Sequence, residues 1–129
     1  MTIAVLALQG AFAEHEKVLD RLSVSHIELR QAGDLKKPFD ALILPGGEST
    51  VQSKLLKELD MFEPLKKRIE NGMPVLATCA GLILLASEIE GQDSCHFGTI
   101  PCVCAEMPTE DSLEAFIRKK RLNLWAKFP

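Results

Sequence analysis

Short, almost wholly apolar runs that break at a glycine or polar turn and lead into helix-patterned stretches constrain this chain more than any other feature. The runs are TIAVLAL (2–8), the ALIL within FDALILPGG (39–47) and PVLAT (74–78). Strands apolar at every position are buried on both faces, the environment of a parallel sheet between two layers of helix. The stretches between them fit those layers. AFAEHEKVLDRL (11–22) places Phe12, Val18, Leu19 and Leu22 on one helical face, with charges opposite. HIELR (26–30) alternates and suits a strand nearer the sheet edge. STVQSKLLKELDMF (49–62) reads as a helix capped by Ser49 or Thr50, and Pro64 opens a short basic-faced helix, PLKKRIENG, that Gly72 stops. GLILLASEI (81–89) predicts a further helix, ended near Gly91. Four βα units of this kind predict an α/β fold, a flavodoxin-like parallel sheet with helices on both faces.

The chain's 129 residues suit one domain with a real core. A net charge of -3 argues for neither a nucleic-acid nor a membrane surface, and no apolar stretch approaches a membrane span. MTIAVLALQG has no basic leader and reads as a first strand rather than a signal peptide. Four cysteines without a secretory signal fit a reducing, cytoplasmic setting. After Gly98 the texture changes, and the expected division is an α/β domain over 1–98 and a divergent tail over 99–129. Within that tail SLEAFIRKKRLNLW (112–125) has helical spacing, with Leu113, Phe116, Ile117 and Leu124 roughly on one side.

Two loops carry the chemistry. In VLATCAGLILLA (75–86) a strand, then Cys79-Ala80-Gly81, then a helix is the layout of a nucleophile elbow. A cysteine at a helix N-terminus has its thiolate favoured by the helix dipole. Ala80 leaves room for a substrate to approach the backbone, and Gly81 lets the helix lie close to the sheet. The alternative is a small buried structural cysteine. The second loop is LPGGEST (44–50), at the carboxyl end of the preceding strand, where open α/β sheets bind their ligands. Gly47 and Ala80 are the candidate backbone donors to a developing oxyanion, and Glu48 and Ser49 are candidates for a substrate's amino or carboxylate groups.

AVLALQGAFAEH, LILPGGEST and TCAGLILLA, in this order and spacing, resemble class I glutamine amidotransferases. Within them they resemble the branch of glutaminase subunits of pyridoxal 5'-phosphate synthases, over about residues 2–98. The resemblance implies that Cys79 attacks the side-chain amide of glutamine. Ammonia leaves, and water hydrolyses the resulting glutamyl thioester. Gly47, Glu48 and Ser49 would line the glutamine site, and the ammonia would pass to a barrel-type synthase subunit that builds the vitamin B6 cofactor. No bound cofactor or metal is implied for this chain.

No general base for Cys79 is expected among these residues. The family has a His-x-Glu pair near its C-terminus, whereas the histidines here are His15, His26 and His96. His15 and His26 read as solvated or structural, and His96 is a loop histidine with nothing evident to orient it. The family also has an Arg-Asn-x-aromatic-Gly-Arg-Gln run where this chain reads AEMPTED (105–111). Codons can be chosen for AEMPTEDSLE, as GCA GAA ATG CCT ACG GAA GAC AGC TTG GAA. The same bases read two positions later give Arg-Asn-Ala-Tyr-Gly-Arg-Gln-Leu-Gly, with the alanine forced by Met107-Pro108. The expectation is a frameshift before about residue 105, in the gene or its sequencing. Cys95, Cys102 and Cys104 with His96 match no standard zinc spacing, and the RKKR at 118–121 is read as a solvated face. As written the chain is expected to have little or no glutaminase activity, with an unpaired strand edge, exposed apolar surface and poor solubility. The alternatives are a non-catalytic docking module and a redox-sensing thiol on the same elbow.

Overall fold

A computed structural model describes residues 1–104. The helix expected over 112–125, the basic run at 118–121 and the segment from 105 expected to be out of frame lie outside the described residues. The elements run β1 (Thr2–Leu6), α1 (Phe12–Arg21), β2 (Ser25–Leu29), a 3-10 turn (Ala32–Lys36), β3 (Ala41–Leu44), α2 (Ser49–Glu58) and α3 (Phe62–Glu70). β4 (Val75–Ala77), α4 (Ala80–Leu85), β5 (Ala86–Ile89) and β6 (Ile100–Cys104) complete them. Strands β2-β1-β3-β4 form one sheet, parallel throughout, with Leu6 opposite Leu29, Val5 opposite Ile43 and Leu44 opposite Ala77. That order matches the first four strands of a flavodoxin-like sheet, and HIELR lies at its edge as expected.

Alternation along each strand divides the core between two faces. Ala4, Leu6, Leu42 and Leu44 point to one face, where they pack with Leu56 of α2, Met61, Phe62 and Leu65 of the α3 region, and Leu84 and Leu85 of α4. Phe97 closes this layer, its ring stacked on Phe62 with centroids 4.8 Å apart. Val5 and Ile43 point the other way and meet Leu19 of α1, with Ile3, Phe12 and Val24 partly buried around them. The fully apolar strands therefore do lie between helices.

The second face is thinly covered. Of the residues expected on the inner side of α1, Leu19 is buried, whereas Val18 is 49% and Leu22 66% exposed. β4 was expected to be buried, but Leu76 is 56% exposed on the same face. Ile3, Val18, Leu22, Ile43 and Leu76 line an apolar trough of about 370 Å³ between α1 and β4. Val75 and Ala77, on the other face, pack against the main core.

Three sequence expectations change. GLILLASEI is not one helix: α4 ends at Leu85, and Ala86–Ile89 is a strand paired in parallel with β6. A pairing partner over ten residues away overrides the local helical pattern, and β6 lies within the stretch assigned to the tail. Neither Ser49 nor Thr50 caps α2; the cap position is Glu48, with extended backbone and no side-chain cap bond, and Ser49 is buried in the first turn. The helix expected to open at Pro64 starts two residues earlier, at Phe62, with Pro64 in its first turn. No helix among the described residues is long and apolar enough to cross a membrane.

Candidate active site

Because the sheet is parallel, the loops after β1, β3 and β4 emerge at one edge. They bring together Gln9-Gly10, Pro45-Gly46-Gly47-Glu48 and Thr78-Cys79-Ala80. The turn at Cys79 is tight. Its φ is 49° and ψ -110°, a conformation that side chains other than glycine rarely adopt. Thr78 N–H donates to the Leu44 carbonyl at 3.2 Å, anchoring the elbow to β3. Beyond it the Cys79 carbonyl accepts from Leu82 and Ile83 N–H at 3.0 and 3.2 Å, starting α4. Gly81 packs directly on Leu44, whose carbonyl would overlap any Cβ added there. The constraint read from the sequence, a glycine that lets the helix approach the sheet, is thus a contact with a named atom. The elbow holds Cys79 exposed above the sheet edge. Sustained backbone strain of this kind is concentrated at functional turns.

Opposite Cys79 lies the glycine loop. A Cβ added to Gly46 would stand 3.6 Å from Cys79 Cβ, so the two turns face each other across a single side chain's width. Gly47 has φ 152°, and a Cβ there would overlap the side-chain oxygen of Gln9. The loop is stitched to the turn after β1: Ala11 N–H donates to the Gly46 carbonyl at 2.9 Å, and Glu48 N–H donates to Gln9 Oε1 at 2.9 Å. Gly47 and Glu48 are exposed and Ser49 is buried, while Ala80 is buried at the start of α4. The six-residue α4 is shorter than the helix on which a dipole argument for Cys79 was based.

Gly46, Gln9 and Gln52 belong to this constellation and were not singled out from the sequence. Gln52 had a signal: a polar residue four positions before Leu56, on the buried stripe of α2. Gly46 and Gln9 had none, since which glycine of a Gly-Gly pair faces the elbow depends on how two distant loops dock.

The histidines are dispersed. His15 is half-buried on α1, with Nε2 3.4 Å from Thr78 Oγ1, next to Cys79 in sequence. His26 pairs with Asp20 at 2.7 Å. His96 lines a cavity of about 500 Å³ with Lys57, Asp60, Phe62, Glu63 and Pro64, which includes no residue of the Cys79 or Gly46-Gly47 turns. Among the described residues no group of three His, Cys, Asp or Glu side chains is placed to hold a metal ion.

The model of the SNO glutamine amidotransferase family matches residues 5–106. A "Pyridoxal 5'-phosphate synthase subunit PdxT" of Desulfitobacterium hafniense (strain DSM 10664 / DCB-2) is 58% identical over 129 residues, all of this chain and 65% of the relative. The protein of the same name from Haemophilus influenzae (strain PittEE) is 53% identical over 106 residues, 80% of this chain and 55% of the relative. A solved structure described as "Crystal structure of glutamine amidotransferase" superposes with a TM-score of 0.73 at 40% identity, covering 80% of this chain and 55% of that one. The chain thus spans somewhat less than two thirds of the length of these relatives.

Proposed function

The chain belongs to the SNO glutamine amidotransferase family, and we propose that it carries the nucleophile half of a glutaminase site whose product ammonia serves pyridoxal 5'-phosphate synthesis. Cys79 Sγ attacks the side-chain carbonyl carbon of glutamine. The carbon–nitrogen bond breaks, ammonia leaves with a proton from the base, and water hydrolyses the thioester to glutamate. Gly47 and Ala80 N–H groups face the oxyanion, and Glu48 and Ser49 hold the substrate's polar groups. The observation that carries this reading is the strained elbow at Cys79, facing a glycine loop one side chain's width away. The similarity to proteins named as pyridoxal 5'-phosphate synthase subunits supports a role within such a synthase; in this reading the ammonia passes to a barrel-type synthase subunit in the cytoplasm.

In this reading none of His15, His26 and His96 is the base for Cys79. In comparable nucleophile–base systems, loss of one member costs several orders of magnitude in rate. Incubating the 129-residue chain with L-glutamine is expected to release little or no ammonia above a Cys79→Ala control. Cys79-dependent release at a rate ordinary for an enzyme would overturn the missing-base reading. L-glutamine is nevertheless expected to protect Cys79 from alkylation. Absence of protection would count against the glutamine site itself.

The family match ends at residue 106, next to the place where a shifted frame restores the family's Arg-Asn run, which supports the frameshift reading. The alignment with the Desulfitobacterium protein runs through the whole chain, so the DNA is the arbiter. Resequencing from codon 95 through the stop is expected to show a one- or two-base correction that restores this run and a downstream His-x-Glu. An unchanged frame would overturn the frameshift reading. A docking role is the second reading, favoured by the exposed Val18, Leu22 and Leu76 on one face.

A further inference from the structure

We infer that Gln52, on α2, is a positioning residue for the glycine loop: its buried carboxamide ties the turn after β1 to the turn after β3 and so sets which peptide N–H groups face Cys79. The inference rests on the glutaminase reading, because it concerns the same oxyanion loop.

Gln52 is 0% exposed. Its Nε2 donates to the Gln9 carbonyl at 3.1 Å and to the Pro45 carbonyl at 3.3 Å, using both amide hydrogens. Two backbone carbonyls accept and cannot donate, so the amide nitrogen and not the oxygen must face them. The other end of the group, Oε1, is buried and accepts no hydrogen bond from the described residues. A buried carbonyl without a donor is unfavourable, and a methionine or leucine would fill the space beside Leu56 without it. Packing alone therefore does not account for a glutamine here.

The two donations do account for it. Gln52 fixes the backbone of Gln9, and the Gln9 side chain in turn accepts from Glu48 N–H. On the other side Gln52 holds Pro45, the residue that leads into Gly46-Gly47. A Cβ on Gly47 would lie 3.1 Å from Gln52 Nε2, so the carboxamide is also in contact range of the loop's backbone. With Glu48 N–H occupied by Gln9, the loop donor left for an oxyanion is Gly47 N–H, and its direction depends on the clamp. Gln52 touches no substrate atom in this scheme. It acts through Pro45 and Gln9.

The test uses the full 129-residue chain and two reagents that alkylate Cys79. One is an L-glutamine-mimicking chloroketone, whose carbonyl must sit in the oxyanion site; the other is chloroacetamide, which needs only an exposed thiol. Gln52→Met removes both donors at nearly constant volume. It is expected to lower the chloroketone second-order rate about three- to tenfold, as loss of a single net hydrogen bond does, while the chloroacetamide rate stays within about twofold. Gln52→Glu removes both donors at neutral pH and regains one when its carboxyl is protonated. For Gln52→Glu the ratio of the two rates should therefore climb towards the wild-type value as pH falls, whereas the wild-type ratio stays flat. A residue that only stabilises the fold would not produce that recovery. Equal loss with both reagents, an unchanged ratio in both variants, or failure of both variants to fold would overturn the inference. If the wild-type chain itself shows no preference for the L over the D chloroketone, it is the glutaminase reading that fails, before any variant is considered.

Discussion

At Cys79 the backbone stands at φ 49° and ψ -110°, and the neighbouring contacts, not the residue's own preference, hold it there. A non-glycine residue in such a region costs roughly 1–3 kcal/mol. Replacing Cys79 with glycine removes most of that strain while adding entropy to the unfolded chain. Cys79→Gly is thus expected to be more stable than wild type by about 1 kcal/mol, and Cys79→Ala to gain nothing comparable. Urea unfolding with unchanged m-values checks this; a destabilised Cys79→Gly would mean that the thiol, and not the turn, matters to the fold. Gly81 behaves in the opposite way. A methyl group there meets the Leu44 carbonyl and side chain, which belong to a central strand and cannot retreat. Gly81→Ala should lose about 2–3 kcal/mol, the scale of core overpacking, visible as a lower urea midpoint.

The connection between β2 and β3 shows an element held by one side chain. Asp34, in the 3-10 turn, accepts from Arg30 N–H at 2.9 Å and Gln31 N–H at 3.2 Å and pairs with Lys37 at 3.2 Å. The Arg30 backbone bond foremost, with help from Lys37, holds its carboxyl below the usual 3.8. A folded-state value below the unfolded one contributes stability above pH 3.8 that disappears as pH falls through the lower value. Asp34→Asn is accordingly expected to be less stable than wild type at pH 7, with the gap closing below pH 3.8. Paired unfolding curves at the two pH values would expose an error in sign. Glu16 pulls the other way: burial, reinforced by Glu28, raises its carboxyl, so its share of stability is present at low pH and lost as pH rises. At this scale the sequence was most legible where periodicity is local. β1, α1 and α3 could be read from spacing, and so could the edge position of β2. It was least legible at Ala86–Ile89, where an apolar run looks helical until β6 pairs with it. The site divides in the same way. Cys79 and Gly81 declare themselves by a strand, a small-residue turn and an apolar run, whereas the Gln52 clamp and the role of Gly46 arise only when three loops meet at the sheet edge.

Taken whole, the molecule has one well-covered face and one thinly covered face, and the difference predicts its solution behaviour. α2, α3, α4 and Phe97 bury Leu6, Leu42 and Leu44, while among the described residues α1 alone serves the opposite side and leaves Leu76 open at β4. Leu76 combines two hazards, for it lies on a strand at the sheet's edge among the described residues and forms one wall of an apolar trough of about 370 Å³. A net charge of only -3 over 129 residues offers weak repulsion against self-association. Nature guards such edges with lysine, whose stem covers apolar surface while its ammonium stays in water. Leu76→Lys is therefore expected to raise the monomer fraction on sizing across a concentration series. Its effect on urea stability should stay within about 0.5 kcal/mol, because a side chain 56% exposed has little buried area to lose. Cys79 alkylation by chloroacetamide should be unchanged, since Leu76 points to the α1 face and the thiol stands at the sheet edge. A wild-type chain that already runs as a single monomer peak at all concentrations would show that the trough is not sticky. A variant that unfolds would show instead that Leu76 belongs to the core.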